Sequence, residues 1–510
     1  MTPSREIARF SPNTTLALLS AAVFLGAVDL TIVTAVLPKI VLDLQVSIDT
    51  ELQRAAWVIT GYLLAYTVSM TFAGRLSDLY GRRPTYLICL AVFIAGSALV
   101  AAAPTLETVV AGRVVQALGA GALVPVAMAL AGDLFPQGRR AAALGIIAAV
   151  DTAGWMVGHL YGGALMRLFD DWRLLFWINL PLGAAALALT WLALRHLPGA
   201  RAPGAFDWPG ALLIAGSLTA LNVGLAAGAE LGQADFYGER AGPPPYAGPL
   251  VLLALALLGA FVWAERRARD PLLDLRLFRD RGAAAACAVN ALVGFGLAMA
   301  IANVPLFINT RLGLQHPEDA DILRRGAWES GLVLSALTLT MAALAPLGGR
   351  LAGRYGNRLP TLGGLALGVA GYVLLSGWRA DTGYGAMVAG LVVAGAGLGL
   401  TLSPVAAAVI DAGGEERHGA AAALVIVLRL TGMTIGVSTL TLWGVQRQDA
   451  LRRAAADDPA ALSDPAGFLI GVAAQVVAET FLFAVGALAV ALVVAALVGR
   501  GAAPAVGGRR

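Results

Sequence analysis

The sequence is poor in charge, in lysine and in cysteine. Asp, Glu, Lys and Arg make up 13% of its 510 residues, about half the share of an average soluble protein. Lys39 is the only lysine, and a net charge of +4 on so long a chain is no signature of nucleic-acid binding. The two cysteines, Cys89 and Cys287, lie within apolar runs and suggest no disulfide framework.

Hydrophobic residues account for 58% of the chain, and 61 residues are glycine. This composition is typical of membrane helices that pack closely through small side chains. Fourteen apolar runs are long enough to cross a hydrocarbon core of ~30 Å. Each is predicted to be helical, because backbone groups in lipid must bond within their own segment. The first run, 15–37, is too long for the core of a signal peptide and is predicted to be a retained span.

The distribution of arginine predicts the orientation of these spans. An even number of spans places both termini on one side, and most arginines fall in the segments on that side, including the loop 265–281. The positive-inside rule then predicts cytoplasmic termini in a multi-pass protein of the bacterial plasma (inner) membrane. The sequence contains no nucleotide-binding loop G-x-x-x-x-G-K-[ST], which argues against an ATP-driven pump. It also shows no His, Cys, Asp and Glu constellation that favours an enzyme or a metal site.

A repeated motif predicts an internal duplication. GRLSDLYGRRP (74–84) follows the second span, and GRLAGRYGNRLP (349–360) follows the tenth at an offset of 275 residues. Duplicated bundles are the usual construction of secondary transporters. We therefore predict an all-α polytopic fold with an N-terminal six-helix bundle in 1–200, two inserted membrane helices in 201–270 and a C-terminal six-helix bundle in 271–510.

The first copy of this motif resembles the signature loop of the major facilitator superfamily. Four other stretches resemble motifs of its fourteen-span drug/proton antiporter family: VDLTIVTAVLP (28–38), AGRVVQALGAGALVP (111–125), WRLLFWINLPLG (172–183) and DPLLDLRLFRDR (270–281). The resemblance implies a major facilitator fold and multidrug efflux by proton antiport, with a role in antibiotic resistance and no cofactor. The expected partners are protons, membrane lipids and a small hydrophobic or cationic substrate, but no nucleic acid. A monomer is expected, and a periplasmic adaptor is left open.

Four charged residues within spans are candidates for proton coupling. Asp29 lies near the middle of the first span and Arg113 about a third of the way into the fourth, where a charge is costly and usually functional. The resemblance implies a coupling role for both. Asp151 in the fifth span and Glu479 in the fourteenth are further candidates. The alternatives are helix–helix hydrogen bonds for the two aspartates, a structural ion pair for the arginine and snorkelling to the outer interface for the glutamate.

Six polar residues are predicted to line the substrate cavity: Asp29, Asp151, His159, Asn290, Asn303 and Arg429. Hydrogen bonding between helices is the alternative use for the neutral ones. For the arginine the alternatives are a position facing the cytoplasmic mouth and pairing with a lipid headgroup. Asp151 and His159 lie two turns apart and about 80° round the helix, so their side chains cannot touch. His159 stands where the family's antiporter motif has proline, so the proline kink is absent.

Two further groups of residues are predicted to shape helix contacts. Glycines at four-residue spacing in the fifth span predict close packing against another helix: Gly154, Gly158 and Gly162. By resemblance, the inner loop 74–84 provides a cytoplasmic gate: Gly74, Asp78, Gly81, Arg82 and Arg83. Asp78 can accept hydrogen bonds from the N-terminal amides of an adjacent helix and so close the cytoplasmic face. The arginines also enforce topology.

The leading functional hypothesis is a proton-coupled exporter of hydrophobic drugs or toxic compounds, with cationic ones included, by alternating access. The alternative is an exporter or flippase of lipids or of an endogenous metabolite. A third hypothesis is a membrane sensor or enzyme on a transporter scaffold.

Overall fold

The computed structural model is built of long helices joined by short connections. It describes residues 10–45, 48–169, 171–195, 203–229, 246–273, 275–318, 322–414, 417–454 and 463–499. Their helices are α1 (Pro12–Asp43), α2 (Ile48–Tyr80), α3 (Arg82–Ala101), α4 (Leu106–Leu134), α5 (Gln137–Phe169), α6 (Trp172–Leu194), α7 (Trp208–Ala229), α8 (Ala247–Glu265), α9 (Arg281–Gln315), α10 (Ile322–Tyr355), α11 (Arg358–Leu375), α12 (Tyr384–Ala412), α13 (His418–Ala454) and α14 (Pro465–Ala495). These residues include no strand, which confirms the all-α prediction.

Thirteen helices of the described chain are long and apolar enough to cross a membrane. The remaining long helix is α5, where the sequence predicts the fifth span, so the number fourteen stays a prediction. Several helices exceed the ~20 residues that a hydrocarbon core requires. The longest, α13, has 37 residues and is about 55 Å long at 1.5 Å per residue.

The chain divides into two compact units. Unit 1 comprises Met1–Phe206 with Gly413–Ala423, and unit 2 comprises Asp207–Ala412 with Leu424–Arg510. Unit 1 therefore contains α1 to α6 and the first turn of α13, and the two helices predicted as an insertion, α7 and α8, belong to unit 2. The predicted boundaries at residues 200 and 270 stay a prediction.

Glycines allow helix backbones of unit 1 to come into direct contact with one another. Gly96 on α3 lies against the backbone of Gln116 on α4, where a Cβ atom would overlap it. On α5, Gly154 and Gly158 lie against the α1 backbone near Phe24 and Val28. Such small residues supply van der Waals contact where lipid offers no hydrophobic driving force.

The two copies of the repeated motif fold alike, and the structure corrects the prediction that they are loops. In unit 1, α2 continues through the motif and only Gly81, with φ of 101°, separates it from α3. In unit 2, α10 likewise continues to Tyr355, and Gly356 has φ of 77° before α11 begins. Positive φ is a conformation that glycine adopts without steric cost, so each copy makes its turn with very few residues.

Candidate functional site

A buried ion pair joins α1 to α4 in unit 1. The Asp29 carboxylate accepts a hydrogen bond from Nη1 of Arg113 through its Oδ2 atom. Nη2 of the same arginine donates to the Asp29 main-chain oxygen at 3.3 Å. The two residues are 1% and 0% exposed. Charges buried this deeply are tolerated in proteins only when they are paired and hydrogen-bonded, as these are.

Aromatic rings surround the arginine of this pair. The Cζ atom of Arg113 lies 3.7 Å from the centre of the Tyr62 ring and 5.9 Å from that of Phe176. Tyr62 also stacks on Tyr66, with 5.8 Å between ring centres. A guanidinium retains its charge at every physiological pH and interacts favourably with an aromatic face. The rings therefore stabilise a permanent positive charge beside Asp29.

Neutral polar side chains complete the cluster from three helices. The Oδ1 atom of Asp29 accepts hydrogen bonds from Nε2 of Gln116 at 2.8 Å and from Nδ2 of Asn179 at 2.9 Å. Nε2 of Gln116 also donates to the Ser97 hydroxyl at 2.6 Å. Its Oε1 accepts from Nη1 of Arg113 at 2.7 Å. These residues lie on α4, α6 and α3, so the carboxylate of α1 is tied to three other helices.

Sequence reasoning missed four members of this cluster: Tyr62, Ser97, Gln116 and Asn179. Gln116 follows Arg113 by three residues, and that spacing on a helix places both side chains on one face. This signal was available in the sequence. Asn179 lies in the family-like stretch 172–183, but nothing in its spacing indicates Asp29, which is 150 residues away.

The predicted polar residues of α5 are Asp151 and His159. Asp151 is 1% exposed within unit 1. One turn later, the main-chain oxygen of Trp155 accepts a hydrogen bond from the Thr31 hydroxyl of α1 at 2.6 Å. Gly162 is buried. The side chain of His159 lies outside the described residues.

In unit 2, the predicted cavity residues take part in helix–helix contacts. Nδ2 of Asn290 on α9 donates to the Val425 carbonyl of α13. Oδ1 of Asn303 accepts a hydrogen bond from the Thr480 hydroxyl of α14 at 3.2 Å. Arg429 is 3% exposed, and its main chain lies against Gly294 of α9. These contacts correspond to the structural alternative for the asparagines.

Glu479 on α14 forms a two-pronged ion pair with Arg447 of α13. The two hydrogen bonds measure 2.7 and 2.8 Å, and Nε2 of Gln475 adds a third at 2.9 Å. The hydrogen bonds and charge of Glu479 raise the pKa of Arg447. Paired arginine and carboxylate planes of this kind have a fixed geometry, which favours a structural role for Glu479 at the far end of α13. A coupling role for Glu479 stays a prediction.

A second charged cluster in unit 1 contains the predicted gate residues. The two oxygens of Asp78 accept hydrogen bonds from the amides of Gly419 and Ala420, each at 3.1 Å, in the first turn of α13. Nη2 of Arg82 donates to Asp78 at 3.2 Å. A carboxylate at a helix N-terminus satisfies free amides and opposes the helix dipole favourably. Gly74 permits this approach, since a Cβ atom there would overlap the main chain of Gly419.

The same cluster extends to α4. Arg82 forms an ion pair with Asp133, whose Oδ1 atom lies 3.6 Å from Nδ1 of His418 at the start of α13. Sequence reasoning missed Asp133 and His418, which are far from the repeated motif in the chain. Arg83 lies apart from this cluster and donates to the Arg195 carbonyl at 2.9 Å.

Long apolar helices, a duplicated motif and a buried ion pair between two spans define a polytopic all-α membrane transporter. The sequence model that describes the Major Facilitator Superfamily matches residues 19–437 of this chain. The chain belongs to this superfamily, as its motifs indicated.

Relatives with similar sequences carry the name triacylglyceride transporter. The protein of that name from Mycolicibacterium hassiacum is 35% identical over 462 residues, which cover 88% of this chain and 83% of that protein. The one from Mycobacterium tuberculosis is 35% identical over 442 residues, 84% of this chain and 82% of that protein. These names do not support the narrower assignment to multidrug efflux.

Solved structures show the same fold at low sequence identity. The human organic anion transporter MFSD10 has a TM-score of 0.58 and 17% identity, covering 94% of this chain and 100% of that one. The proton:xylose symporter XylE bound to 6-bromo-6-deoxy-D-glucose has a TM-score of 0.55 and 12% identity, covering 94% and 96%. These likenesses confirm the major facilitator fold.

Proposed function

We propose that this protein is a proton-coupled exporter of triacylglycerides or similarly apolar lipids. The observation that carries the proposal is 35% identity over more than four fifths of the chain to proteins named triacylglyceride transporters. Lipid export, the alternative at the level of sequence, thus replaces drug export as the leading hypothesis.

The pairing of two of the predicted coupling carboxylates, Asp29 and Glu479, supports a neutral substrate. Arg113 balances the charge of Asp29, and Arg447 balances that of Glu479. A carboxylate already held by a guanidinium offers little attraction to a cationic drug, because its charge is compensated locally. A triacylglyceride carries no charge and needs a mainly apolar surface with few polar contacts.

Asp29 is the proposed proton carrier. In the ionised state the charge of Asp29 is balanced by Arg113. A bound proton removes the negative charge that holds the arginine against α1. Because the pair links α1 to α4, its loss changes the contact between these helices. We propose that this change favours one of the two access states of an alternating-access cycle, and that the hydrogen bonds of Asp78 to α13 stabilise the other.

Reconstituted vesicles test the proposal directly. Proteoliposomes containing a fluorescent triacylglyceride are mixed with acceptor vesicles that carry a quencher, and an internal pH dye records proton movement. Wild type is expected to transfer lipid faster under an imposed pH gradient. Asp29→Asn is expected to lose this acceleration, because asparagine cannot carry the proton.

A second carboxylate of α1 serves as the matched control. Asp43 pairs with Lys39 at 3.4 Å, and both side chains are partly exposed. Asp43→Asn is expected to retain gradient-driven transfer. If Asp29→Asn transfers lipid as fast as wild type, the coupling role is refuted. If wild type moves hydrophobic cations but no labelled lipid, the substrate assignment is wrong.

A further inference from the structure

The two oxygens of the Asp29 carboxylate have different surroundings. Oδ1 accepts two hydrogen bonds from neutral amides, those of Gln116 and Asn179. Oδ2 accepts its hydrogen bond from the charged Arg113. A carboxylate oxygen offers about two lone-pair positions. Oδ1 is therefore saturated, whereas Oδ2 has a position that a proton can take.

We infer that Asn179 is a positioning residue that, with Gln116, occupies Oδ1 of Asp29 and so directs the incoming proton to Oδ2, the oxygen that Arg113 contacts. The inference rests on the proposed proton coupling through Asp29 and deepens it. Without this arrangement, a proton on Oδ1 would leave Oδ2 as a carbonyl oxygen that still accepts the hydrogen bond of Arg113, so proton binding would weaken that contact less.

The orientation of the Gln116 amide is determined by its neighbours. Its Oε1 accepts from Nη1 of Arg113 at 2.7 Å, so its NH₂ group must face Asp29 and the hydroxyl of Ser97. A flipped amide would place NH₂ against a guanidinium, where donor meets donor. Gln116 can therefore only donate to Oδ1.

The Asn179 amide occupies the second position on Oδ1. Its Nδ2 atom lies 2.9 Å from Oδ1 and 3.5 Å from the Ser97 hydroxyl, and the residue is 4% exposed. An ionised carboxylate accepts hydrogen bonds only, so the group facing it must be NH₂. Asn179 comes from α6, a different helix from Gln116, so the saturation of Oδ1 depends on the packing of α6 as well as α4.

Proton binding at Oδ2 changes both the charge and the acceptor strength of the site. The carboxylate gains one proton and becomes neutral, and Oδ2 becomes a hydroxyl oxygen, a weaker acceptor for Nη1 of Arg113 than a carboxylate oxygen. The hold of Asp29 on the arginine is therefore weakened. Arg113 retains the Asp29 main-chain oxygen, Oε1 of Gln116 and the Tyr62 ring as partners, so its charge stays stabilised.

The pH dependence of transport tests the role of Asn179. Asn179→Leu has a side chain of similar size without a donor, so it destabilises the ionised form of Asp29 and opens a position on Oδ1. The pH midpoint of gradient-driven lipid transfer is expected to rise by about one unit, the effect of losing one hydrogen bond to a charged group. Proton leak without lipid is expected to increase. Asn179→Ser restores a donor, so its pH midpoint is expected to lie between those of Asn179→Leu and wild type.

Thr190 provides a matched control on α6. It is fully buried and lies three turns beyond Asn179, so Thr190→Val perturbs the same helix without touching Asp29. This variant is expected to keep the wild-type midpoint and the wild-type leak. A wild-type midpoint in Asn179→Leu, or an equal shift in Thr190→Val, would overturn the assignment.

Infrared difference spectroscopy tests the same geometry without a transport assay. Acidification of protein with labelled aspartate is expected to produce a carbonyl band that Asp29→Asn lacks. The band should shift to higher frequency in Asn179→Leu and less in Asn179→Ser, because the carbonyl Oδ1 loses a donor. An unshifted band in both variants refutes the role of Asn179. An absent wild-type band instead refutes the proton-carrier role of Asp29, so the two failures are distinguishable.

Discussion

Replacement of Arg113 by methionine removes the counter-charge of Asp29 from a site that is at most 1% exposed. Loss of one partner of a buried ion pair costs about 3–5 kcal/mol. In the folded variant Asp29 limits this cost by taking up a proton and becoming neutral. The unfolded chain keeps the same aspartate ionised at both pH 6 and pH 8. Folding of the variant therefore takes up one proton, and its free energy changes by about 1.4 kcal/mol per pH unit. Stability of the variant is therefore lost as the pH rises, by about 2.7 kcal/mol between these values.

The assay compares apparent melting temperatures of purified wild type and Arg113→Met at pH 6 and pH 8, followed by tryptophan fluorescence. The deficit of the variant is expected to be larger at pH 8. In the double variant Asp29→Asn/Arg113→Met no carboxylate remains, so the deficit should be the same at both pH values. Lys39→Met breaks a partly exposed pair worth at most about 1 kcal/mol and should have little effect. An Arg113→Met deficit that is equal at both pH values would refute the reasoning.

Two further predictions concern helix contacts. Gly158→Leu places a side chain against Thr31 and the Val28 carbonyl of α1 and should lower the melting temperature sharply. Gly259→Leu adds a side chain where a Cβ atom has nothing within 4 Å and should leave the melting temperature nearly unchanged. Equal effects of the two substitutions would contradict the packing of α5 on α1. Asp78→Asn retains one acceptor oxygen for two amides, so hydrogen exchange in the first turn of α13 should accelerate about tenfold, and unchanged exchange would show that these hydrogen bonds contribute little.

The sequence was sufficient to predict the membrane class and the all-α fold, and it singled out the two most buried charges of the site. Apolar length alone predicts the spans, because lipid leaves the backbone no other way to satisfy its polar groups. Asp29 and Arg113 stood out because charged residues within apolar runs are rare. Their pairing did not follow from the sequence, since 84 residues separate them and only tertiary packing brings α1 to α4.

The neutral members of the cluster were harder to predict. Gln116, Asn179 and Ser97 are common within membrane helices, and each has an ordinary helix–helix hydrogen bond as its more frequent use. They belong to the site because they surround one carboxylate, and this arrangement arises only when four helices pack together. The substrate could not be predicted from the sequence either, because an apolar lipid requires no charged motif and drug and lipid exporters share one fold.

The single glycine between α2 and α3 has a consequence for how this chain can vary. With one residue at the junction, the rotation of α3 about its axis is set directly by the end of α2. An inserted residue would turn α3 by about 100° and carry Arg82 away from Asp78 at one end and Ser97 away from Gln116 at the other. Both clusters of unit 1 thus depend on the exact length of one junction, so insertions and deletions there should be tolerated far less than substitutions.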